Sequence, residues 1–275
     1  MALLVPAARR GARQLNYSGR PADTWGTVVT ASSTPHALTG TPTQLIAATT
    51  YEAEWIRLTF ANTTIAATNT DGLVNLYIGA AGSEVLFMDS LLAGWSSSML
   101  VGDGDVRTFW FPVRIPRGTR LSAEFRALIA SDTVQIMLEL GVSNGEHWVG
   151  SGVETLGEDT AASEGTDVTP GTTSEGTFTA IGTSGRRYRY ITLNSMGNND
   201  TTLLAGTNAW DIGVGGAVYQ GMENFLTRDH GGESNGTHDS YGFWCDIPSG
   251  TALQLRAQAS GSSSGLQTPA LYGCY

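Results

Sequence analysis

The residues best suited to metal chemistry lie late in the chain, on either side of a glycine-rich stretch. Asp229 and His230 precede residues 231–237, and His238 and Asp239 follow them. Imidazole nitrogens and carboxylate oxygens together can bind zinc or another divalent ion. The spacing matches no standard site, and an exposed polar loop is the simpler interpretation. These four residues are therefore a candidate ligand loop, and no metal or cofactor is predicted.

Other catalytic patterns are weak. The segment from Gly261 to Gly265 matches the nucleophile-elbow pattern, but that chemistry needs a strained strand-to-helix turn, and this segment lies between two predicted strands. Glycosidases use paired carboxylates, but among 25 acidic residues some pairs will lie close by chance, and no Asp or Glu stands in a distinctive aromatic context. All 15 basic residues are Arg, which excludes a P-loop lysine and a Schiff-base lysine. The sequence therefore predicts that the chain is not an enzyme.

Tryptophan is abundant, with seven residues in the chain. An exposed indole can stack on the face of a sugar ring, so a glycan partner is one interpretation. Trp also fills the cores and interfaces of β-sandwiches. Trp110 and Trp244 lie in predicted strands, where packing in a core or an interface is favoured.

The composition is that of a globular, acidic chain. Of the 275 residues, 41% are hydrophobic, and the formal net charge is −10. This apolar content is sufficient for a core, and Gly, Ser and Thr, about a third of the chain, suit turns and strand surfaces. The acidic balance argues against a nucleic-acid partner. No apolar run approaches the ~20 residues that a membrane-spanning helix needs.

The first twenty residues are basic, with four Arg and no acid. A transit peptide has the same bias, whereas the apolar run from Ala2 to Val5 is too short for a secretory signal. We expect residues 1–24 to form an extended arm that docks on a neighbouring subunit, a locally ordered segment being the alternative. The acidic segment 154–175 is either a solvated loop or a contact for such an arm. The predicted assembly contacts of the arm are three apolar anchors and three arginines: Leu3, Leu4, Val5, Arg9, Arg10 and Arg13.

The chain contains an internal repeat. Residues 111–121 and 243–253 share Phe, Ile, Pro, Gly, Thr and Leu at an offset of 132. Three further matches follow in the same order and pair 56–58 with 191–193, 78–79 with 212–213, and 140–141 with 272–273. Matches in one order at nearly constant spacing indicate a duplicated unit. Two copies of one domain are predicted, at residues 25–144 and 145–275.

Apolar and polar residues alternate in 56–60, 121–127 and 134–140, as they do in half-buried strands. The repeated Ile-Pro-x-Gly-Thr element predicts a type I turn with Pro at its first central position and Gly at its fourth. The predicted fold class is all-β. It comprises two tandem β-sandwich (jelly-roll-like) domains from an internal duplication, with an extended N-terminal arm.

The two cysteines correspond to valines of the first copy. At the offset of 132, Cys245 matches Val113 and Cys274 matches Val142. A position that accepts either residue is typical of a small buried apolar site. Two free thiols are favoured, and a disulfide between neighbouring strands is the alternative.

Two stretches of the chain resemble a known family. Residues 73–84 (LVNLYIGAAGSE) and 111–121 (FPVRIPRGTRL) are similar to motifs found in tandem copies in β-sandwich virion structural proteins of tailed bacteriophages. The resemblance covers most of residues 25–275, although the first stretch is degraded to 210–216 in the second copy. It implies a structural role in the particle and carries no catalytic residue.

Together these observations predict a non-enzymatic virion protein, either an accessory (decoration or cement) protein or a tail-associated one, assembled in the cytoplasm of a bacterial host. The expected partners are other virion proteins, from the capsid or the tail, and copies of the chain itself, without nucleic acid or membrane. The alternative is a receptor- or glycan-binding module of a tail or head fibre, with residues 229–239 and exposed Trp as its surface. A polysaccharide-acting enzyme is the least favoured interpretation.

Overall fold

The computed structural model describes residues 13–16, 26–62, 72–94, 106–127, 129–143, 148–158, 165–197, 206–229, 241–260 and 267–275. Within these ranges the chain forms strands, turns and loops, with no helix. The described part accordingly offers no helix of the length and apolarity that a membrane crossing requires. The predicted all-β class is confirmed.

The first half of the chain forms two antiparallel sheets. Its strands are β1 (Arg13–Leu15), β2 (Thr27–Thr30), β3 (Thr43–Ile46), β4 (Trp55–Asn62), β5 (Gly72–Ile78), β6 (Val85–Gly94), β7 (Val106–Phe111), β8 (Leu121–Ala127) and β9 (Thr133–Gly141). Sheet I has the order β2-β9-β4-β7, and β1 pairs with the same edge of β9 as β2 does. Sheet II has the order β3-β8-β5-β6.

The second half forms two further antiparallel sheets. Its strands are β10 (Val153–Leu156), β11 (Thr179–Thr183), β12 (Tyr188–Gly197), β13 (Gly206–Val214), β14 (Ala217–Val218), β15 (Phe225–Asp229), β16 (Tyr241–Ile247), β17 (Ala252–Ala259) and β18 (Gln267–Cys274). Sheet III has the order β10-β18-β12-β16. Sheet IV has the order β11-β17-β13-β14, and β15 also pairs with β13.

The two halves share one order of pairing. The strands β2 to β9 can be matched in chain order with β10 to β18 if β14 and β15 together correspond to β6. Each strand pairing in sheets I and II then has a counterpart in sheets III and IV. Eight strands arranged in two facing sheets in this way form a jelly roll. The predicted β-sandwich class is confirmed. The duplication and the boundaries at 1–24, 25–144 and 145–275 stay predictions.

Alternating side chains build the core of each half. Ile56, Leu58 and Phe60 of β4 are completely buried, and Ile191 and Leu193 take the matching places in β12. In each half, apolar residues of two sheets meet in one cluster. The alternation seen in the sequence therefore identified the strands and the faces they bury.

The repeated turn differs from its prediction in one respect. Gly118 and Gly250 both have a φ of 82°, and each stands third in a turn that begins at Pro116 or Pro248. A positive φ at the third position is what a type II turn requires, and Gly adopts it without steric cost. The predicted type I turn, with Gly fourth, is therefore wrong.

A buried hydroxyl holds this turn in both halves. Thr49 Oγ1 donates to the Pro116 carbonyl at 2.6 Å, and Ser184 Oγ donates to the Pro248 carbonyl at 2.8 Å. In both halves the N–H of the threonine that follows the Gly donates back to that hydroxyl at 3.0 Å. The repeat thus extends to individual hydrogen bonds.

Sheet III is buried on both faces. On its inner face, Ile191, Leu193 and Leu271 belong to the core of the second half. On its outer face, Tyr190 and Tyr272 belong to the core of the first half. The contact of β12 and β18 with β6 and β7 is called the inter-sandwich interface below. Because it continues the first core, it joins the two halves into one body.

Tyr272 is the central residue of this interface. Its ring meets Phe109 edge-on at 5.3 Å and Phe111 at 6.0 Å, between ring centroids. Its hydroxyl accepts a hydrogen bond from the Leu92 N–H at 2.9 Å and donates one to the Ser90 carbonyl at 3.2 Å. The side chain therefore fills the first core and also satisfies backbone groups of β6.

A shift of one residue in β18 produces this arrangement. Leu140 pairs with Ile56 in sheet I, whereas Gly273 pairs with Ile191 in sheet III. The predicted equivalence of 140–141 with 272–273 is therefore wrong by one position. Successive side chains point to opposite faces of a strand, so the shift turns Tyr272 away from its own sandwich and into the other one.

The shared core predicts that the chain unfolds in one step. Tyr272→Ala should lower the free energy of unfolding by about 3–5 kcal/mol, as aromatic-to-Ala changes in cores do. Tyr272→Phe should cost about 1–3 kcal/mol, because a buried N–H loses its acceptor. Urea unfolding followed by fluorescence and circular dichroism measures both. Tyr51→Phe, which removes a partly buried hydroxyl bonded to the Leu140 carbonyl, is the control with the smaller effect. Two separate transitions in the unaltered chain would contradict a shared core.

Candidate functional site at the cleft between the sandwiches

A cleft of about 270 Å³ lies where the two halves meet. The first half contributes Asp89 of β6. The second half contributes β10 and two segments that flank strands of sheet III. The lining residues are Asp89, Val153, Glu154, Thr155, Arg186 and Tyr275. Ligand pockets commonly occur between domains and contain a few convergent polar groups. This cleft has that location, and each half supplies part of its wall.

Glu154 is held in a fixed orientation in the cleft. The Tyr188 hydroxyl donates to its Oε2 at 2.5 Å, and the Gly185 N–H lies 3.1 Å and 3.0 Å from its two oxygens. Burial, followed by the hydrogen bond to Glu154, raises the pKa of Tyr188 well above its ordinary value. The phenol therefore stays protonated and serves Glu154 as a constant donor. Across the cleft, the Arg186 guanidinium lies 5.6 Å from the centre of the Tyr275 ring.

Asp89 reaches the cleft because β6 is irregular at this point. The pairing register of β5 with β6 shifts beside Asn75, and Ser90 has a φ of 50°, which is uncommon for a residue other than Gly. The Asn75 amide oxygen accepts the Ser90 N–H at 2.9 Å, and Thr155 Oγ1 donates to the Asp89 carbonyl at 2.6 Å. Contacts from both halves thus stabilise the strained segment, as residues in sparsely populated conformations require.

The cleft can hydrogen-bond a small polar solute through two carboxylates and one guanidinium. Among the residues that the structure describes, no group of three or more His, Cys, Asp or Glu is placed to hold a metal ion. Sequence reasoning missed this site because its residues come from distant segments. Glu154 and Thr155 begin the acidic segment 154–175, and none of the other lining residues belongs to a feature singled out in the sequence.

Of the predicted arm residues, the described part includes only Arg13. Strand β1 pairs with the end of β9, and Arg13 Nε lies 2.5 Å from Glu139 Oε1 of the same chain. Asn16 extends the pairing: its side chain donates to the Ile136 carbonyl at 2.9 Å and accepts the Leu138 N–H at 2.7 Å. Residues 13–16 are therefore fixed to the sandwich, and the assembly role of Arg13 stays a prediction.

The other predicted site residues lie outside the described ranges, apart from one. These residues are Leu3, Leu4, Val5, Arg9, Arg10, His230, His238 and Asp239. Asp229 is described as the last residue of β15, where it pairs with Gly206. The candidate ligand loop therefore begins at the end of an edge strand, and its role stays a prediction.

The acidic segment 154–175 makes ion pairs with the sandwiches. Glu158 Oε2 lies 3.8 Å from Arg126 Nη2, across the two halves. Glu175 pairs with Arg256, which also pairs with the nearly buried Asp211 at 2.8 Å. Glu158 and Glu175 of this segment thus have basic partners in the folded body, whereas Glu154 accepts hydrogen bonds from Tyr188 and Gly185.

Both cysteines are free thiols, as favoured from the sequence. Cys274 is completely buried and pairs with Tyr190 on the outer face of sheet III. Its structural counterpart is Gly141 rather than Val142, owing to the one-residue shift of β18. Burial raises the pKa of Cys245 to about 12 and that of Cys274 well above its usual range.

Comparisons with known proteins give weak structural likenesses. No protein-family model matches the chain, and no curated protein matches it. A chain in the cryo-EM structure of Broad Bean Stain Virus is 10% identical, with a TM-score of 0.31 over 90% of this chain and 87% of that one. The tandem CBM22-1–CBM22-2 domains of Xyn10C from Paenibacillus barcinonensis are 9% identical, with a TM-score of 0.27 over 98% and 99%. With TM-scores this low, these likenesses carry no argument about function.

A third likeness corrects one prediction. PNGase F, a glycosylasparaginase from Flavobacterium meningosepticum, is 6% identical, with a TM-score of 0.33 over 96% of both chains. This match contradicts the sequence-based prediction that the chain is not an enzyme. At that TM-score the likeness assigns no activity either. The exclusion is therefore dropped, and no enzymatic role takes its place.

A thiol and two phenols that are partly or fully buried predict that stability falls at alkaline pH. Burial raises the pKa of Cys245, Tyr77 and Tyr190 to about 12 each, from ordinary values of 9.0, 10.0 and 10.0. Unfolding then releases protons above pH 9, so stability is complete below that pH and declines as the pH rises towards 12. The chain has no Lys to titrate in this window. The urea midpoint should be constant from pH 7 to 8.5 and lower at pH 10.5.

A variant separates the thiol from the phenols in this measurement. Cys245→Ala should reduce the decline between pH 9 and 10, with the buried Cys274 still contributing there, and should lessen but not abolish the steeper decline above pH 10, where the phenols titrate. A midpoint that does not change up to pH 10.5 would show that these groups are not buried as described.

Proposed function

We propose that the chain is a structural protein of a virus particle, and specifically an accessory (decoration or cement) or tail-associated protein of a tailed bacteriophage. It docks on the particle through its N-terminal arm and the surfaces of its sandwiches. Its partners are other virion proteins and copies of itself, and its location is the virion.

The observation that carries this proposal is the anchoring of residues 13–16 on β9. The ion pair of Arg13 with Glu139 and the two hydrogen bonds of Asn16 hold this segment to the sandwich. The basic residues Arg9 and Arg10 closely precede this fixed segment in the sequence of an otherwise acidic chain. An arm of opposite charge to the body suits attachment to an acidic neighbour.

The surface around the anchor supports the same role. Leu15 of β1 is 39% exposed and Val28 of β2 is 49% exposed. Leu15 pairs with Glu139 and Val28 with Gln135, so both lie on the outer face of sheet I. Apolar side chains next to the anchor give a neighbouring subunit a surface to bury once the arm is bound.

Deletion of residues 1–12 tests the role of the arm. The shortened chain keeps β1 and Asn16, so it should fold with an unchanged melting temperature but be lost from particles assembled in an infection that supplies it. Immunogold electron microscopy with antibodies against the chain should label particles that contain the full sequence. Unlabelled particles with the full chain would refute the virion role. Full incorporation of the shortened chain would refute only the role of the arm.

Asn16→Ala tests the anchor itself. Losing two hydrogen bonds should destabilise β1 by about 1–2 kcal/mol, at roughly 1 kcal/mol for each bond. Amide hydrogen exchange should show faster exchange at Leu138, whose N–H loses its acceptor. Leu15→Ala, on the same strand with a side chain that is 39% exposed, is the matched control and should leave that amide protected. Equal protection in both variants would mean that Asn16 does not fasten the strand.

A further inference from the structure

A row of three aromatic rings lies at the inter-sandwich interface. Tyr190 stands between Trp110 of β7 and Trp244 of β16, with centroid distances of 5.4 Å and 5.0 Å. Tyr190 is 7% exposed, whereas Trp244 is 50% exposed. The buried tyrosine thus packs edge-on against the Trp244 indole, and half of the Trp244 surface is accessible to solvent.

The position of Trp244 explains why its indole is held firmly. β16 is the edge strand of sheet III, and Trp244 pairs with Tyr190 on the face that the first half covers. Trp244 lies at the rim of that covered area. An indole supported in this way loses little conformational freedom when it binds a ligand.

Charged groups follow Trp244 on the same edge. Asp246 accepts two hydrogen bonds of 2.6 Å from the Arg187 guanidinium, and Arg189 lies 3.4 Å from the same carboxylate. All three side chains are substantially exposed. The paired Arg187 lowers the pKa of Asp246, so the carboxylate is ionised at neutral pH. The edge therefore offers strong donors and acceptors beside a flat apolar ring.

We infer that this edge is a carbohydrate-binding surface centred on Trp244. A pyranose ring presents C–H groups on its face and hydroxyls around its rim, and so matches an indole face flanked by a carboxylate and two guanidinium groups. A single-stranded nucleic acid also stacks on aromatic rings, but it is disfavoured by a chain of net charge −10. The ligand class is thus a neutral glycan rather than a polyanion. This inference does not depend on the proposed virion role.

A glycan array and two matched variants test the proposal. The full chain should bind one or more neutral oligosaccharides reproducibly, and the best of them should then be titrated by isothermal calorimetry. Trp244→Ala should bind at least ten times more weakly, and Asp246→Asn should be weakened to a lesser extent. Trp148→Ala removes a second described indole that is exposed, to 38%, and should bind normally. Thermal melts should show the variants to be folded, because each replaces an exposed side chain.

The outcomes are distinct. No glycan binding by the full chain, or equal binding by Trp244→Ala, would overturn the proposal. Binding lost equally in Trp148→Ala and Trp244→Ala would place the site elsewhere and overturn it as well. If the full chain self-associates and Trp244→Ala abolishes this association, a second copy of the chain covers Trp244. That outcome would overturn the glycan proposal in favour of a protein partner.

Discussion

Burial of sheet III on both faces is the constraint on which the rest of the structure depends. Antiparallel sheets usually expose one face to water, and the sequences of their strands alternate between apolar and polar residues. In β18, both sets are buried: Leu271 faces the second core, while Ala270 and Tyr272 face the first. The outer face of sheet III therefore needs the first half as its cover, and the open side of the first sandwich needs sheet III.

Joining two sandwiches through a core also brings polar groups into the interior, and each requires partners. Arg107 of β7 is completely buried and donates from Nη1 to the Asn194 side chain and the Ser195 carbonyl, at 2.9 Å in both cases. These acceptors belong to β12, so the first half would lose them if the halves separated. Separating a buried charged group from its hydrogen-bond partners strongly lowers the stability of the protein. The polar contacts therefore fix the relative position of the halves, while the aromatic contacts supply the burial.

The elements could be predicted from the sequence because they depend on local patterns. Alternation marked β4, β8 and β9, and the Pro-Gly element marked a turn that recurs in both halves. The pairing of β18 could not be predicted in this way. Tyr272 and Leu140 are both large and apolar, so matching them in sequence was reasonable, but Gly273 lies beneath the Tyr188 ring and takes the inward position. A shift of one residue in pairing leaves the amino-acid composition of the strand unchanged but reverses which of its side chains face the core. The cleft could not be predicted because it depends on the docking of the two halves, which places Asp89 and Glu154 in the lining of one cavity.

The corresponding outer faces of sheets I and III differ in chemistry. On sheet III this face carries Tyr272 and Cys274, which are buried against the first half. On sheet I the positions opposite β4 carry Glu139, which pairs with Arg13 at 2.5 Å and lies 3.9 Å from Arg57. A charged cluster of this kind is costly to bury without its partners, so this part of sheet I is less suited than the outer face of sheet III to cover an apolar core. Leu15 and Val28 remain exposed on this face of sheet I, where Leu15 pairs with Glu139 itself and Val28 with Gln135. Equivalent positions of the two halves thus differ in charge and in burial, although their strands pair in the same order.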